Sequence, residues 1–273
     1  MKEYPNCKIN IGLSVVSKRA DGYHNLESVF YPVPLCDELE ISKSESFSFL
    51  QDGNTLDCDY DNNLCIKAYR LLKSYFPELG NVDIRLTKHI PSGAGLGGGS
   101  SDAAFTLKML NSLFHLGLSI EELQSLASQL GADCAFFIEN KTVFASQKGD
   151  VFQDISLAID GYKLLLVKPE VGVSTAEAYR NIVPVPALFD LREIAETPIG
   201  KWKDLVTNDF EKGIFQKLPI LGDIKQRLYA SGALYACMSG SGSTIYGIFA
   251  QDCDTAEIVK RYSEQYFTAE ITL

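Results

Sequence analysis

The pattern of apolar and polar positions predicts strands and helices along the whole chain. Residues 82–86 alternate apolar and polar side chains, as a half-buried strand does. Residues 100–114 carry alanine, leucine and methionine at helical spacing. The loop between these two segments therefore joins a strand to a helix. Further strands are predicted over 5–13, from the following hairpin up to Ile41, over 142–146, over 161–168 and on both sides of Gly240, and further helices over 62–75, 120–130, 220–230 and 255–267.

The domain organisation follows from length and from breaks in this pattern. A chain of 273 residues can form one large or two ordinary domains, and an apolar content of 46% supports well-formed cores. The proline-bearing region from 184 to 200 has no clear periodicity. We predict an N-terminal domain over 1–156 and a C-terminal domain over 157–273.

The loop before the helix at 100–114 holds five glycines within residues 93–99. Glycine adopts positive φ readily and lets a ligand approach the backbone closely. Ser100, Ser101 and Asp102 stand where the N-cap of the helix is expected. Unpaired N–H groups and the positive end of the helix dipole favour a bound phosphate. The loop therefore predicts a phosphate site, with a glycine-rich surface turn as the alternative.

Two familiar nucleotide-binding patterns do not fit this loop. Gly93, Gly95 and Gly98 satisfy G-x-G-x-x-G, which needs an acidic residue at the end of a second strand about twenty positions later. The next acidic residues instead follow Ser119 in a Ser-x-x-Glu capping box and open another helix. No Lys-Ser or Lys-Thr follows the glycines, which excludes the Walker A motif.

Two further segments agree with a phosphate site. Residues 5–13 place Asn6, Lys8 and Asn10 on one face of a strand, and residues 238–244 form a second glycine–serine turn. At these three places the chain resembles the GHMP kinases, the family named for galactokinase, homoserine, mevalonate and phosphomevalonate kinases. The three motifs occur in the order of that family and span nearly the whole chain.

The resemblance becomes narrower in the segment 18–26. Its Asp-Gly pair is typical of a hairpin turn that presents Tyr23 and His24. Together with residues 130–137 and 172–175, this segment resembles the branch of the family whose acceptor is cytidine diphosphate methylerythritol. The resemblance implies ATP-dependent phosphorylation of the 2-hydroxyl of that acceptor, with Mg²⁺, in the non-mevalonate route to isoprenoid precursors.

The resemblance also implies a fold. It is α+β in two domains, with a ribosomal-protein-like N-terminal domain that binds ATP, an α/β-sandwich C-terminal domain, and the active site in the cleft between them. The alternatives are another kinase of this family, acting on homoserine or mevalonate, and a non-catalytic nucleotide-binding protein that has kept the fold.

For the chemistry, the resemblance makes Asp133 the general base that removes the proton of the acceptor hydroxyl. Lys8 would lie beside Asp133 and hold it ionised. The structural alternatives are a helix N-cap for Asp133 and a solvated strand lysine for Lys8.

For ATP, the resemblance implies that the glycine loop and the start of its helix hold the phosphates. Ser101 would offer its hydroxyl to the phosphates or to Mg²⁺, whereas Ser100 could simply cap the helix. Asn63 and Lys88 would lie at the edge of the adenine pocket. The ATP-binding residues implied in this way are Pro91, Gly93, Ala94, Gly95, Leu96, Gly97, Gly98, Gly99, Ser100, Ser101, Lys88 and Asn63.

For the acceptor, the resemblance implies a cytosine pocket in which aromatic rings lie on both sides of the base, with Tyr179 on the second side. Core packing is the alternative for Tyr179, and a tight hairpin is the alternative for the turn at Gly240. The acceptor residues implied are Asn10, Tyr23, His24, Thr175, Tyr179, Ser239 and Gly240.

Charge and hydropathy limit the partners. A net charge of −10 repels nucleic acid and anionic lipid, so neither is an expected partner. No apolar run approaches the roughly 20 residues of a membrane helix, and the first residues lack the apolar stretch of a signal peptide. We expect a cytoplasmic protein that acts on a small molecule as a monomer or homodimer.

The seven cysteines are odd in number and contain no C-x-x-C pair, which argues against a disulfide framework and a zinc site. Cys7 and Cys134 are adjacent in sequence to Lys8 and Asp133. We interpret both as inert packing residues. The alternative is that Lys8 lowers the pKa of one thiol and makes the activity sensitive to oxidants.

Overall fold

The computed structural model describes residues 1–54, 60–180 and 182–273. Packing divides the chain into two compact units that interleave along the sequence. Unit 1 comprises Met1–Lys8, Pro34–Ser92 and Gly97–Lys141, and unit 2 comprises Ile9–Val33, Gly93–Leu96 and Thr142–Leu273. The predicted division at 156/157 cuts the chain once, whereas the chain passes repeatedly between these units.

Unit 1 contains a four-stranded sheet whose central strand leads into the glycine loop. Val82, Ile84 and Leu86 of this strand are buried, which confirms the strand predicted from their alternation. The strand is antiparallel to one neighbour and parallel to the other. The order in the sheet is β1 (Lys2–Glu3), β4 (Glu38–Ser44), β6 (Asn81–Lys88) and β5 (Ser48–Gly53).

Four helices complete unit 1: α1 (Leu64–Tyr75), α2 (Gly98–Phe114), α3 (Ile120–Ser128) and α4 (Phe136–Glu139). The predicted capping box at Ser119 is present at the start of α3. Tyr75, the last residue of α1, is 57% exposed. The buried residues of α1 are Cys65, Ile66, Ala68, Tyr69 and Leu72.

The start of α2 also differs from the prediction. The helix begins at Gly98, and its N-cap is Gly97 in the left-handed conformation, with no side chain capping the helix. Ser100 and Ser101 therefore lie in the first turn of α2 and Asp102 follows that turn, so none of the three is the cap.

Two long strands, β2 (Asn6–Lys18) and β3 (His24–Cys36), are joined by the predicted hairpin at Asp21 and Gly22. The turn is closed by the N–H of Arg19, which donates to the carbonyl of Tyr23 (2.8 Å). The order in this sheet is β2, β3, β7 (Val143–Ser146) and β8 (Val151–Asp154).

The remainder of unit 2 is an antiparallel sheet packed with helices. The hairpin predicted around Gly240 is present. The order in the sheet is β10 (Tyr235–Met238), β11 (Ile245–Phe249), β9 (Lys163–Lys168) and β12 (Phe267–Thr272). The helices are α5 (Thr175–Tyr179), α6 (Ile199–Leu205), α7 (Phe210–Lys217), α8 (Pro219–Ala230) and α9 (Ala256–Ser263).

The last helix and strand correct the prediction of one helix over 255–267. Helix α9 ends at Ser263, and Phe267 begins the edge strand β12. Within the described part of the chain, no helix combines the length and the apolar character needed to cross a membrane.

Candidate active site

Lys8 and Asp133 form an ion pair within unit 1. The Nζ atom of Lys8 lies 3.2 Å from Oδ2 of Asp133. The Lys8 side chain is only 4% exposed, whereas the Asp133 side chain is 33% exposed. Lys8 is thus not a solvated strand lysine. Asp133 does not cap α4 either, since the N-cap position of that helix is Ala135 and no side chain caps it.

The glycine loop passes close to this pair. Gly97 has φ 70°, and a Cβ atom placed on it would lie 3.1 Å from the ring of Phe137 and 3.3 Å from Cε of Lys8. Within the described residues, none of the backbone N–H groups from Gly97 to Ser100 donates a hydrogen bond. The start of α2 therefore presents free donors and the positive end of a helix dipole, which together bind anions.

The earlier part of the loop belongs to unit 2 and is fixed by the turn after β10. The hydroxyl of Ser239 donates to the carbonyl of Gly95 (2.8 Å), and the N–H of Thr244 donates to the carbonyl of Ala94 (3.2 Å). A Cβ atom on Gly95 would lie 2.1 Å from the Ser239 carbonyl oxygen, so this close approach requires glycine. Ser239 is fully buried and holds the loop.

A buried charge triad supports the other end of the loop. Nζ of Lys88 bonds to Asp37 and lies 2.7 Å from Oδ2 of Asp102. Lys88 bonds to Oδ2 of Asp37, and Oδ1 of Asp37 accepts the N–H groups of His89 (2.6 Å) and Ile90 (2.8 Å). The triad therefore links the end of β6 to Asp102, just after the first turn of α2.

Burial and charge oppose each other in this triad. Burial alone lowers the pKa of Lys88, but the carboxylates of Asp102 and Asp37 outweigh it and raise that pKa. Complete burial raises the pKa of Asp102 to about 7, against the lowering effect of Lys88. Asp102 thus shares one lysine with a second carboxylate and resists ionisation.

Two residues predicted for the adenine pocket are used by unit 1 itself. Lys88 is 2% exposed between its two carboxylates. Asn63 is 4% exposed, and its side chain accepts the N–H of Cys65 (2.9 Å) as the N-cap of α1. Both side chains therefore have partners within unit 1, and their place at the edge of the adenine pocket stays a prediction.

The hydroxyl oxygen of Ser101 is available to a ligand. It is fully buried in the first turn of α2, and its hydroxyl has no hydrogen-bond partner within the described residues. Mg²⁺ prefers oxygen ligands and usually keeps several waters beside substrate phosphates. The hydroxyl therefore fits an ion that arrives with ATP. The described residues contain no cluster of three or more His, Cys, Asp or Glu side chains able to hold a metal by themselves.

In unit 2, Asn10 is held on three sides. Its Nδ2 donates to Ser28 (2.8 Å), its N–H donates to Oγ of Ser239 (3.2 Å), and its carbonyl accepts the hydroxyl of Tyr246 (2.8 Å). A Cβ atom on Gly240 would lie 3.1 Å from Oδ1 of Asn10. Asn10, Ser239 and Gly240 are therefore brought together in unit 2.

The aromatic residues are arranged differently from the predicted sandwich. The rings of His24 and Tyr179 stack on each other at 5.0 Å between centroids and 15° between planes. A base between two rings needs roughly twice the 3.5 Å contact distance, about 7 Å. These two rings therefore have no room for a base between them. Tyr23 is 64% exposed, and Thr175 is exposed at the start of α5.

Sequence reasoning missed Asn208, which fixes the turn containing Ser239 and Gly240. Asn208 is 3% exposed, and its Nδ2 donates to the carbonyls of Met238 (2.9 Å) and Gly240 (2.7 Å). The available signal was an Asn-Asp pair just before α7, which is typical of a helix start.

The cysteines beside the ion pair are not activated thiols. Burial raises the pKa of Cys7 and of Cys134 to about 12. A thiol with so high a pKa is a poor nucleophile at neutral pH. The hypothesis that Lys8 lowers one of these pKa values is wrong, and the interpretation as packing residues is supported.

The chain is similar to proteins of one known family over most of its length. The family model "GHMP kinases N terminal domain" matches residues 63–141, and "GHMP kinases C terminal" matches residues 190–268. A protein from Bacteroides fragilis named 4-diphosphocytidyl-2-C-methyl-D-erythritol kinase is 50% identical over 92% of this chain and 93% of its own length. A protein of the same name from Bacteroides thetaiotaomicron is 51% identical over 91% of this chain and 92% of its own length.

Solved structures extend the comparison. A crystal structure of 4-(cytidine 5'-diphospho)-2C-methyl-D-erythritol kinase has a TM-score of 0.86 at 30% identity, over 99% of this chain and 98% of the other. The mevalonate kinase of Methanococcus jannaschii shares the fold, with a TM-score of 0.70 at 15% identity over 100% of this chain and 98% of the other. The fold is therefore the two-domain architecture of mixed helix and sheet expected from the sequence. The chain belongs to the GHMP kinase family.

Proposed function

We propose that this protein is an ATP-dependent kinase that phosphorylates the 2-hydroxyl of 4-diphosphocytidyl-2-C-methyl-D-erythritol, a step in the formation of isoprenoid precursors. One observation carries the proposal. A carboxylate paired with a buried lysine lies in the same unit as the free N–H groups at the start of α2, and Gly97 approaches Lys8 closely. This arrangement suits phosphoryl transfer to a hydroxyl.

The residues of unit 1 divide the work. The N–H groups at the start of α2 bind the ATP phosphates, and Ser101 offers its hydroxyl to them or to Mg²⁺. Bound Mg²⁺ neutralises charge on the phosphate oxygens. Asp133 accepts the proton of the 2-hydroxyl, whose oxygen forms the new bond to the γ-phosphorus. The bond from that phosphorus to the bridging oxygen breaks, and ADP leaves with the electron pair.

The residues of unit 2 serve the acceptor. Tyr23 presents an exposed ring for stacking on cytosine. The stacked rings of His24 and Tyr179 form a second wall of the cytosine pocket. Asn10 and Thr175 are our candidates for the diphosphate or the sugar-alcohol hydroxyls. The names of relatives with about half of their residues identical support this acceptor.

We further propose that the protein acts in the cytoplasm as a monomer or homodimer, without a nucleic-acid or membrane partner. Its net charge of −10 favours a dissolved small molecule over polyanionic partners.

The experiment is ADP release by the purified protein with Mg-ATP and, in parallel, the cytidine diphosphate acceptor, homoserine and mevalonate, with an acceptor-free control. We expect turnover with the cytidine compound alone. Turnover with homoserine or mevalonate would support a kinase but reject the cytidine compound as its acceptor. ATP binding without turnover on any of them would favour a non-catalytic nucleotide-binding protein.

A further inference from the structure

The segment that carries Asp133 is a continuous series of turns. The N–H of Cys134 donates to the carbonyl of Gly131 (3.1 Å). The N–H of Asn140 donates to the carbonyl of Phe136 (2.9 Å) and closes α4. Residues 134–138 are buried between these bonds. Asn140 and Asp133 therefore belong to one continuous, buried segment.

Asn140 ends this segment and exchanges two hydrogen bonds with Asn6. Nδ2 of Asn140 donates to Oδ1 of Asn6 (2.5 Å), and Nδ2 of Asn6 donates to Oδ1 of Asn140 (3.2 Å). Nδ2 of Asn6 also donates to the carbonyl of Cys7 (2.9 Å), which fixes the orientation of its amide. Both asparagines are partly buried.

Strand β2 brings this amide pair next to the ion pair. Asn6 lies two residues before Lys8, and alternate residues of a strand point to the same face. Two side-chain pairs therefore connect the same two elements: Asn6 with Asn140, and Lys8 with Asp133. We infer that Asn6 and Asn140 are positioning residues, whose reciprocal amide bonds set the carboxylate of Asp133 against Lys8. This inference rests on the proposed role of Asp133 as the base.

An ion pair alone does not fix this geometry. The ammonium of Lys8 contacts one carboxylate oxygen, Oδ2, and a point charge sets no preferred orientation of that carboxylate. The amide pair has two bonds in opposite directions and tolerates little displacement of one backbone against the other. It therefore adds a directional restraint to the ion pair.

Unit 1 holds α4 by a second, independent contact. Nζ of Lys108 in α2 donates to the carbonyl of Phe137 (3.0 Å) and lies 3.5 Å from that of Ile138. This contact remains when the amide pair is removed. We therefore expect variants of the two asparagines to stay folded while the position of Asp133 is loosened.

The test uses Asn6→Ala, Asn140→Gly and the double variant. Glycine suits position 140 because Asn140 has φ 58°. We expect kcat to fall about tenfold or more in each single variant, since a small misplacement of a catalytic group costs up to about 10²-fold. KM for ATP and for the acceptor should stay within about twofold. The kcat of the double variant should be no lower than that of the less active single variant, because the two amides act as one unit.

Asn111→Ala is the matched control. Asn111 also makes two hydrogen bonds, both with the backbone of Leu118 (3.0 Å each), in unit 1 at the far end of α2. We expect this variant to lose thermal stability but to keep kcat. An equal fall of kcat in Asn111→Ala would overturn the inference. So would kcat values of the single variants that stay within about twofold of the wild-type value.

Crystal structures of the wild type and the double variant give a readout that does not depend on turnover. We expect the Lys8 Nζ to Asp133 Oδ2 distance to exceed 4 Å in the variant. An unchanged distance would reject the positioning role even in an active enzyme. Inactivity of the wild type on every acceptor would reject the proposed function, and the distance would still decide the inference.

Discussion

Lys8 and Asp133 form a pair of unequal exposure: the ammonium is almost completely buried, while a third of the carboxylate side chain is open to solvent. The 3.2 Å contact involves one carboxylate oxygen, Oδ2. Burying an ammonium is costly unless it is paired, so Lys8 is bound to this position by Asp133. The exposed side of Asp133 is left for a reacting hydroxyl.

We predict that Asp133→Asn lowers kcat by about 10²–10⁴ and leaves KM for ATP close to the wild-type value, because an amide cannot accept the hydroxyl proton. Steady-state kinetics with the cytidine acceptor measure both quantities. Glu139→Gln is the control, since Glu139 also pairs with a lysine (Lys141, 2.9 Å) and is 35% exposed. A comparable loss in both variants would mean that Asp133 acts through charge or stability and not as a base.

We predict that Gly97→Ala lowers kcat/KM by about tenfold or more. The new methyl group must displace the ring of Phe137 or the side chain of Lys8, which lie 3.1 and 3.3 Å from its position. Gly117→Ala is the control: Gly117 has almost the same φ, 72° against 70°, but nothing lies within 4 Å. In both variants, an alanine in the left-handed conformation lowers the stability by roughly 1–2 kcal/mol. Equal activities in the two variants would contradict the close approach that we describe.

We predict that Tyr23→Ala raises KM for the cytidine acceptor by about 5- to 150-fold with little change in kcat. A stacked base contributes roughly 1–3 kcal/mol, and the loss of binding common to substrate and transition state appears in KM. Tyr75→Ala, at a tyrosine of similar exposure in unit 1 (57% against 64%), should leave KM unchanged. An unaltered KM in Tyr23→Ala would remove the argument for a cytosine pocket at this hairpin.

The local parts of the fold could be predicted from the sequence. The alternation at 82–86, the run of glycines and the helix after it are encoded by neighbouring residues, and the structure has all three. Strand β12 was missed because helical spacing continues from α9 through Tyr262 and Tyr266. As an edge strand, β12 also lacks the clear alternation of a buried strand.

The supports of the site could not be predicted, because their partners are far apart in sequence. Asp37 joins Lys88 across 51 positions, and Asn6 joins Asn140 across 134. No periodicity relates such residues, and an isolated aspartate or asparagine is most often a solvated or turn residue. The resemblance to a family indicated Lys8 and Asp133, but it did not indicate the residues that hold them.

The buried triad should make stability depend on pH. An aspartate in the unfolded chain titrates at about pH 3.9, whereas burial raises the pKa of Asp102 to about 7. Between these values the folded protein holds a proton that the unfolded chain has lost. The contribution of Asp102 to the free energy of unfolding therefore falls as pH rises from about 4 to 7 and is constant above that range. The raised pKa of Lys88 affects stability only at higher pH, above its ordinary value of 10.5.

We predict that Asp102→Asn, whose amide imitates the protonated acid, removes this dependence. The free energy of unfolding of the wild type minus that of the variant should decrease between pH 4.5 and 7.5 by more than about 1.4 kcal/mol, the value of one pKa unit. Urea denaturation of both proteins at several pH values measures it, and the subtraction cancels the titrating groups that do not interact with Asp102. A difference that is constant over this range would mean that Asp102 ionises normally, and the triad would then hold two buried carboxylates against one lysine at acid pH as well as at neutral pH.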